Sequence, residues 1–202
     1  MNKLYFILLG LMVWIPANAQ LMDNLEKVGH FNEGVAAIMK GDQWAFMDQE
    51  GNIVIPYRDD LVTQTDENGN MVAPEFHDGR AMISRKVDGI AYYGFIDKTG
   101  KEVIPANFIN ASPFKNGFAI VMQFSKEVVG QNKLLGKDVV SYKVEEYVID
   151  TDGKAMTPML HTRNCVPEVL KKGKTPELSS VFMGGHVVAV QMADEHWEIY
   201  RF

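Results

Sequence analysis

Phe76-His77-Asp78-Gly79-Arg80-Ala81 opens the stretch that decides the fold, and Tyr93-Gly94-Phe95-Ile96-Asp97-Lys98-Thr99-Gly100 with Val103-Ile104-Pro105 completes it. Phe114-Lys115-Asn116-Gly117-Phe118-Ala119 then starts the pattern again. Two signals alternate, F-x-x-G-x-A and F-[IM]-D-x-x-G followed by a β-branched pair and proline. Self-similarity of this kind marks a repeat architecture, in which each unit buries its apolar face against its neighbours.

The residue types set the conformation. In D-x-x-G the Asp side chain accepts from backbone N–H groups two residues on, and the Gly takes a left-handed conformation. Asp48, Asp97 and Asp150 stand three residues before Gly51, Gly100 and Gly153. β-branched and aromatic residues flank each turn, as strands require. In F-x-x-G-x-A the Phe is a core plug, the Gly a tight turn and the Ala a close-packing site. Each unit therefore reads as a three-stranded antiparallel meander. The chain is predicted to be all-β, its tandem hairpin repeats forming an open twisted or propeller-like array, with helix marginal.

Working outward, unit one (31–61) has Phe31, Gly34, Trp44, Phe46, Asp48, Gly51 and Pro56. Unit two (76–113) has Phe76, Gly79, Tyr93, Gly94, Phe95, Asp97 and Gly100. Unit three (114–160) has Phe114, Gly117, Asp150, Gly153 and Pro158, and a truncated unit four (182–202) has Phe182, Gly185, Val187 and Trp197. Residues 21–30 suit a short helical cap or an incomplete first unit. Residues 62–75 lengthen a linker, 125–145 interrupt unit three inside its first hairpin, and 161–180 form a connection with one helical turn near Val166 to Lys171.

These residues resemble the WG-repeat family, also called KWG repeats, across most of residues 31–202. Tyr93-Gly94-Phe95-Ile96-Asp97 with Gly100 and Ile104-Pro105 is the closest fit. Trp44 is followed by Ala45 and Trp197 by Glu198, so the Trp-Gly pair itself is altered. The resemblance implies β-hairpin repeats in a bacterial protein, often of the envelope, acting as an interaction scaffold with no catalytic residues to carry over.

The first nineteen residues read as a secretory signal peptide. Lys3 precedes an apolar run from Leu4 to Ile15, and Ala17-Asn18-Ala19 gives a small-x-small cleavage site before Gln20. The run is shorter than the roughly 20 residues of a membrane-spanning helix. The expected mature domain, 20–202, is exported to the periplasm or beyond, without a transmembrane helix. Loss of Lys3 takes the formal charge from −6 to −7, an acidic balance that argues against a nucleic-acid partner. Cys165 is the single cysteine, so no intramolecular disulfide can form.

Candidate chemistry is sparse. Asp66-x-Asn68-x-Asn70 begins like a calcium loop but has Met71 and His77 where that loop needs Gly and Glu, so a polar turn is expected. Ser112-x-x-Lys115 flanks a repeat anchor rather than opening a helix. Cys165 with His161 reads as a bystander thiol. The histidines 30, 77, 161, 186 and 196 show no zinc spacing, although His186 and His196 could face one another across the last hairpin. Tyr92, Tyr93, Trp44 and Trp197 are aromatic candidates for recognition, with core packing the stronger expectation at repeat positions. No catalytic, metal or cofactor-binding residues are assigned. The expectation is a non-catalytic binding module for a protein or envelope polymer; the alternative is an envelope hydrolase or other enzyme with dispersed active-site residues. The partner surface is placed on the 125–145 insertion, at Lys126, Lys133, Leu134, Leu135 and Lys137, with burial against its own repeat as the competing expectation.

Overall fold

The computed structural model describes residues 20–202, so the leader reading lies outside the described residues. Apart from one short helix, the regular structure of the described residues is antiparallel strand. Unit one is the meander β2 (Ala36–Lys40), β3 (Gln43–Met47) and β4 (Ile53–Arg58), with β1 (Lys27–Val28) on the free edge of β2. A small hairpin, β5 (Gln64–Thr65) and β6 (Met71–Val72), occupies the linker. Unit two is β7 (Ala81–Val87), β8 (Ile90–Ile96) and β9 (Glu102–Ala111); unit three is β10 (Phe118–Asn132) and β11 (Lys137–Asp150). β12 (His161–Asn164), α1 (Pro167–Lys171) and the last meander β13 (Ser180–Gly184), β14 (Val187–Gln191) and β15 (Trp197–Arg201) follow. The sheets are open, as the alternating turn and strand signals predict.

β9 pairs with β10, so units two and three share one six-stranded sheet in the order β12-β11-β10-β9-β8-β7. Alternation in the sequence could not foresee this junction, because it is a pairing between repeats rather than within one.

In the first three units F-x-x-G is a two-residue hairpin turn. Asn32 and Val35 exchange both backbone hydrogen bonds, as do His77 with Arg80 and Lys115 with Phe118. Both central residues take positive φ: Glu33 (50°) with Gly34 (89°), Asp78 (51°) with Gly79 (73°), and Asn116 (54°) with Gly117 (85°). Positive φ at both centres is the type I′ geometry, whose twist matches that of the flanking strands. The D-x-x-G turns form as expected: Asp97 Oδ1 accepts the N–H groups of Thr99 and Lys101, and Gly100 N–H donates to the Asp97 carbonyl.

Successive units interlock by repeated contacts. Phe46 of unit one meets Phe76 of unit two with ring centroids 4.8 Å apart, and Phe95 meets Phe114 of unit three at the same distance. At the third junction Val148 shares a core with Ile120, Val188 and Val190, with Phe182 packed at its margin. Gly100 lies against Ile55 and Gly153 against Ile104, where an added Cβ would come within 3.2 Å of the isoleucine. Leu21 occupies the corresponding place beneath Gly51, so the N-terminal segment stands in for a preceding unit's third strand. The incomplete-unit reading of residues 21–30 describes it, and no helix forms there.

Several expectations are corrected. Phe31 is no core plug: it is 49% exposed, and among the described residues no aromatic ring packs on it as Phe46 does on Phe76 and Phe95 on Phe114. Trp197 is likewise 51% exposed, on the outer face of β15. Unit three has an interrupted third strand: β12 pairs with β11 from Glu146 with His161 to Lys143 with Asn164, and nearer the turn the ladder is broken. There it has one bridge, Ile149 with Ala155, and the Thr157 hydroxyl accepts the Val148 N–H in place of a ladder bond. In unit four a bulge between Phe182 and Gly184 shifts the register, so Val188 rather than Val187 turns inward.

Candidate interaction surface

The third hairpin is much longer than the core it serves. β10 and β11 stay paired from Phe118 with Asp150 to Asn132 with Lys137, with one bulge between Val128 and Gly130. The near half is core: Met122 and Val144 are buried with Ile109, Ile90, Cys165 and Leu170, and Phe124 stacks on Tyr142 at 5.7 Å. Beyond Ser125 the strands leave the body, and every residue from Lys126 to Val139 is exposed. Eight extended residues, Ser125 to Asn132, span about 25 Å. The expectation that the insertion folds back on its own repeat is therefore overturned.

This arm presents Val128, Val129, Leu134, Leu135 and Val139, all at least 47% exposed, with Leu134 the most at 97%. Lys126, Lys133 and Lys137 stand among them on exposed backbone. Lys143 pairs with Glu127 across the ladder at 2.8 Å, and its hydrogen bond holds the Glu127 carboxyl below the ordinary range. Asn132 fixes the tip. Its Oδ1 accepts the N–H groups of both Leu134 and Leu135, and Gly136 turns the chain at a φ of 60°.

The repeat anchors lie elsewhere, in structural roles. Trp44, Phe46, Phe76, Phe95 and Phe114 are buried, while Tyr92 and Tyr93 are half-buried. Gly34, Gly51, Gly79, Gly100, Gly117 and Gly153 are all at turns with positive φ, and Asp48, Asp97 and Asp150 bond the turns that follow them. Gly94 is of another kind, since its φ is not positive. A Cβ there would lie 2.5 Å from the Ile104 carbonyl oxygen and 2.6 Å from the Ala106 nitrogen. The register between β8 and β9 jumps from Tyr93↔Phe108 to Phe95↔Ile104, so three residues of β9 bulge against Gly94. In unit one the jump runs from Trp44↔Arg58 to Phe46↔Ile55, with two residues bulging, and Ala45 fits.

The remaining candidates are absorbed by structure. Asp66 accepts from the Asn68 and Asn70 backbones and from the Asn70 amide, a D-x-x-G turn with Gly69 that closes β5–β6. The same spacing as Asp48 to Gly51 could have revealed it. The Ser112 hydroxyl accepts the Ile120 N–H and donates to the Pro113 carbonyl. Cys165 is buried in the core beside β11, and desolvation pushes its thiol pKa up, against a smaller opposing pull from Arg163. His186 packs on Phe118 and Phe202, whereas His196 bonds Asp194 and Glu198, so the two do not face each other. Among the described residues no group of three or more His, Cys, Asp and Glu is placed to hold a metal ion. No described helix is long and apolar enough to cross a membrane.

Glu146 was missed by sequence reasoning. It is 1% exposed and stands at the position of Trp44 and Tyr93 in its unit. Its carboxylate accepts from Arg163 Nη2, the Ser179 and Ser180 N–H groups and the Ser180 hydroxyl, which ties the incoming β13 to β11. Buried charge needs such partners, and here they make a clamp.

A family model described as "WG containing repeat" matches residues 24–44 and 93–123. No curated protein and no solved structure matches the chain. The matched stretches hold the first anchor, the Tyr93-Gly94 pair, a D-x-x-G turn and the start of unit three, and the interlocking contacts carry the same unit along the stack. Over these two stretches the chain is similar to the WG-containing repeat.

Proposed function

We propose that this protein is a non-catalytic binding module built on WG-like repeats, exported to the bacterial envelope, that grips a protein or polymer partner through the β10–β11 arm. The arm carries the reading. Among the described residues it is the longest hairpin, and its outer half exposes Val128, Val129, Leu134, Leu135 and Val139. Exposed apolar surface of this kind, rimmed by polar residues, is characteristic of interaction sites. The assignments of the repeat residues support it further: Asp48, Asp97 and Asp150 bond their own turns, and Phe46, Phe76, Phe95 and Phe114 pack between units, so the repeats act as a scaffold. Export rests on the Lys3 to Ala19 pattern.

The test replaces Glu127 to Ser141 by an Asn-Gly turn, which leaves Lys126 opposite Tyr142, and compares capture from a native envelope fraction. The shortened protein keeps its thermal transition and loses the partners that the intact arm retains. Equal capture by both forms overturns the reading, as does N-terminal sequencing that recovers Met1 from the envelope-associated protein.

A further inference from the structure

Lys133-Leu134-Leu135-Gly136-Lys137 is a convex apolar point with a lysine on either side. Leu134 and Leu135 are 97% and 68% exposed, at the far end of a two-stranded lever. The tip is preformed: Asn132 Oδ1 holds both leucine N–H groups, so presenting the pair costs little ordering entropy. Lys137 stands opposite Asn132 at the last rung, and Lys133 begins the turn. Among the described residues neither lysine, nor Lys126 farther back, has an ion-pair partner; Glu127 is taken by Lys143. Asp138 is the remaining acid near the tip. Thus three lysines face one free carboxylate on an arm of a protein whose formal charge is −6.

We propose that this tip docks on a bilayer surface bearing anionic headgroups, with Leu134 and Leu135 entering the acyl boundary and Lys133 and Lys137 meeting lipid phosphates. The inference rests on the arm being the binding element, and it adds a lipid surface to the protein or polymer partner of that reading. Amphipathic segments seat their apolar residues about 5–10 Å into the headgroup boundary, a depth that a leucine turn reaches without burying the strands. Lysine stems extend along the apolar zone and return their ammonium groups to the headgroups. Each lysine near an anionic leaflet adds attraction that falls off within a Debye length. A protein partner would need a concave apolar pocket with an acidic rim to match this point. A bilayer offers both features wherever it is touched.

Sedimentation with vesicles of phosphatidylglycerol mixed into phosphatidylcholine tests it. The intact protein binds the mixed vesicles more strongly than pure phosphatidylcholine, and added salt weakens the binding. Leu134→Ser with Leu135→Ser lowers partitioning roughly tenfold or more, since both apolar side chains drive the transfer. Lys133→Gln with Lys137→Gln abolishes the preference for phosphatidylglycerol. A Leu134→Trp variant, read against the unsubstituted protein, shifts its emission to the blue on the mixed vesicles alone. Thermal transitions monitor folding, and no core contact is touched. Absent vesicle binding, or binding indifferent to the leucine pair, overturns the proposal. If capture from the envelope fraction still depends on the arm in that case, the partner is a protein or polymer and the module reading stands; if that also fails, both fall.

Discussion

Asp78 reaches from the hairpin turn of unit two to the next unit, where its Oδ2 accepts the Gly117 N–H at 2.7 Å. One unit earlier Glu33 does the same for the Gly79 N–H at 2.9 Å. Each residue also occupies the positive-φ position of its own turn. One side chain thus both permits a turn and registers the next. Burial alone would raise the Glu33 carboxyl; the Gly79 N–H, with Lys98 and the Asp78 N–H, outweighs it and holds the pKa below the ordinary value.

Asp78→Asn is expected to be nearly neutral, because Asn tolerates the left-handed conformation and keeps an acceptor oxygen. Asp78→Val loses the acceptor and resists positive φ, at a cost of about 2–3 kcal/mol. Denaturant midpoints of the two variants give the comparison, and equal midpoints would contradict the double role.

The same phenylalanine signal has two energies. Phe95→Ala removes a side chain that is 1% exposed and in contact with Phe114, so a loss of about 3–5 kcal/mol is expected. Phe31→Ala removes one that is half in solvent, and should cost about 1 kcal/mol or less. Urea unfolding of both would separate position in the stack from position in the motif.

Gly94→Ala should destabilise by roughly 2–4 kcal/mol, since the new methyl meets backbone that cannot move without breaking the β8–β9 ladder. Ala45→Gly at the corresponding place should cost only about 1 kcal/mol, the backbone entropy of glycine. A Gly94→Ala protein that melts like wild type would remove steric approach as the reason for the glycine.

Acid should weaken the fold through its turns. The Asp97 carboxyl lies below its ordinary 3.8, chiefly because the Thr99 hydroxyl donates to it, with the Thr99 and Lys101 N–H groups assisting and burial opposing. Asn52 and Asn70 side chains act likewise on Asp48 and Asp66. A carboxyl with a lower pKa when folded adds stability above its unfolded pKa, and that stability is lost as pH falls through the folded value. Denaturant midpoints should therefore drop as pH falls below about 4. Asp97→Asn should make the drop shallower by less than about 1 kcal/mol, because the site is almost fully solvated. An unchanged slope would show that these bonds persist in the unfolded chain or do not lower the folded pKa, so that the two states bind protons alike.

The repeats, the D-x-x-G turns, the all-β class and the single helical turn near Pro167 were legible because each is written within a few consecutive residues. The β9–β10 junction was not, since Val121 opposite Ala111 looks like any other strand pair in sequence. Nor was the exposure of Phe31 and Trp197, whose motif letters match buried counterparts and whose surroundings depend on a neighbour. Lys126 to Val139 could be recognised as an insertion, but whether it folded back or projected depended on the pairing of β10 with β11. The clamp on Glu146 hid behind a substitution: a carboxylate stands where the repeat has an aromatic ring, and only the arrival of Arg163, Ser179 and Ser180 explains it.

The arm's roots give it a mechanical character. β10 is flanked by β9 and β11 by β12, the latter from Lys143 with Asn164 to Glu146 with His161. A pull on Leu134 directed along the arm does not peel the hairpin open from its tip. It drags both strands the same way past β9 and β12, which loads several lateral hydrogen bonds together in shear. The tip can thus be tethered while tension passes into the six-stranded sheet, and the stack behaves as an anchor with a stiff tether.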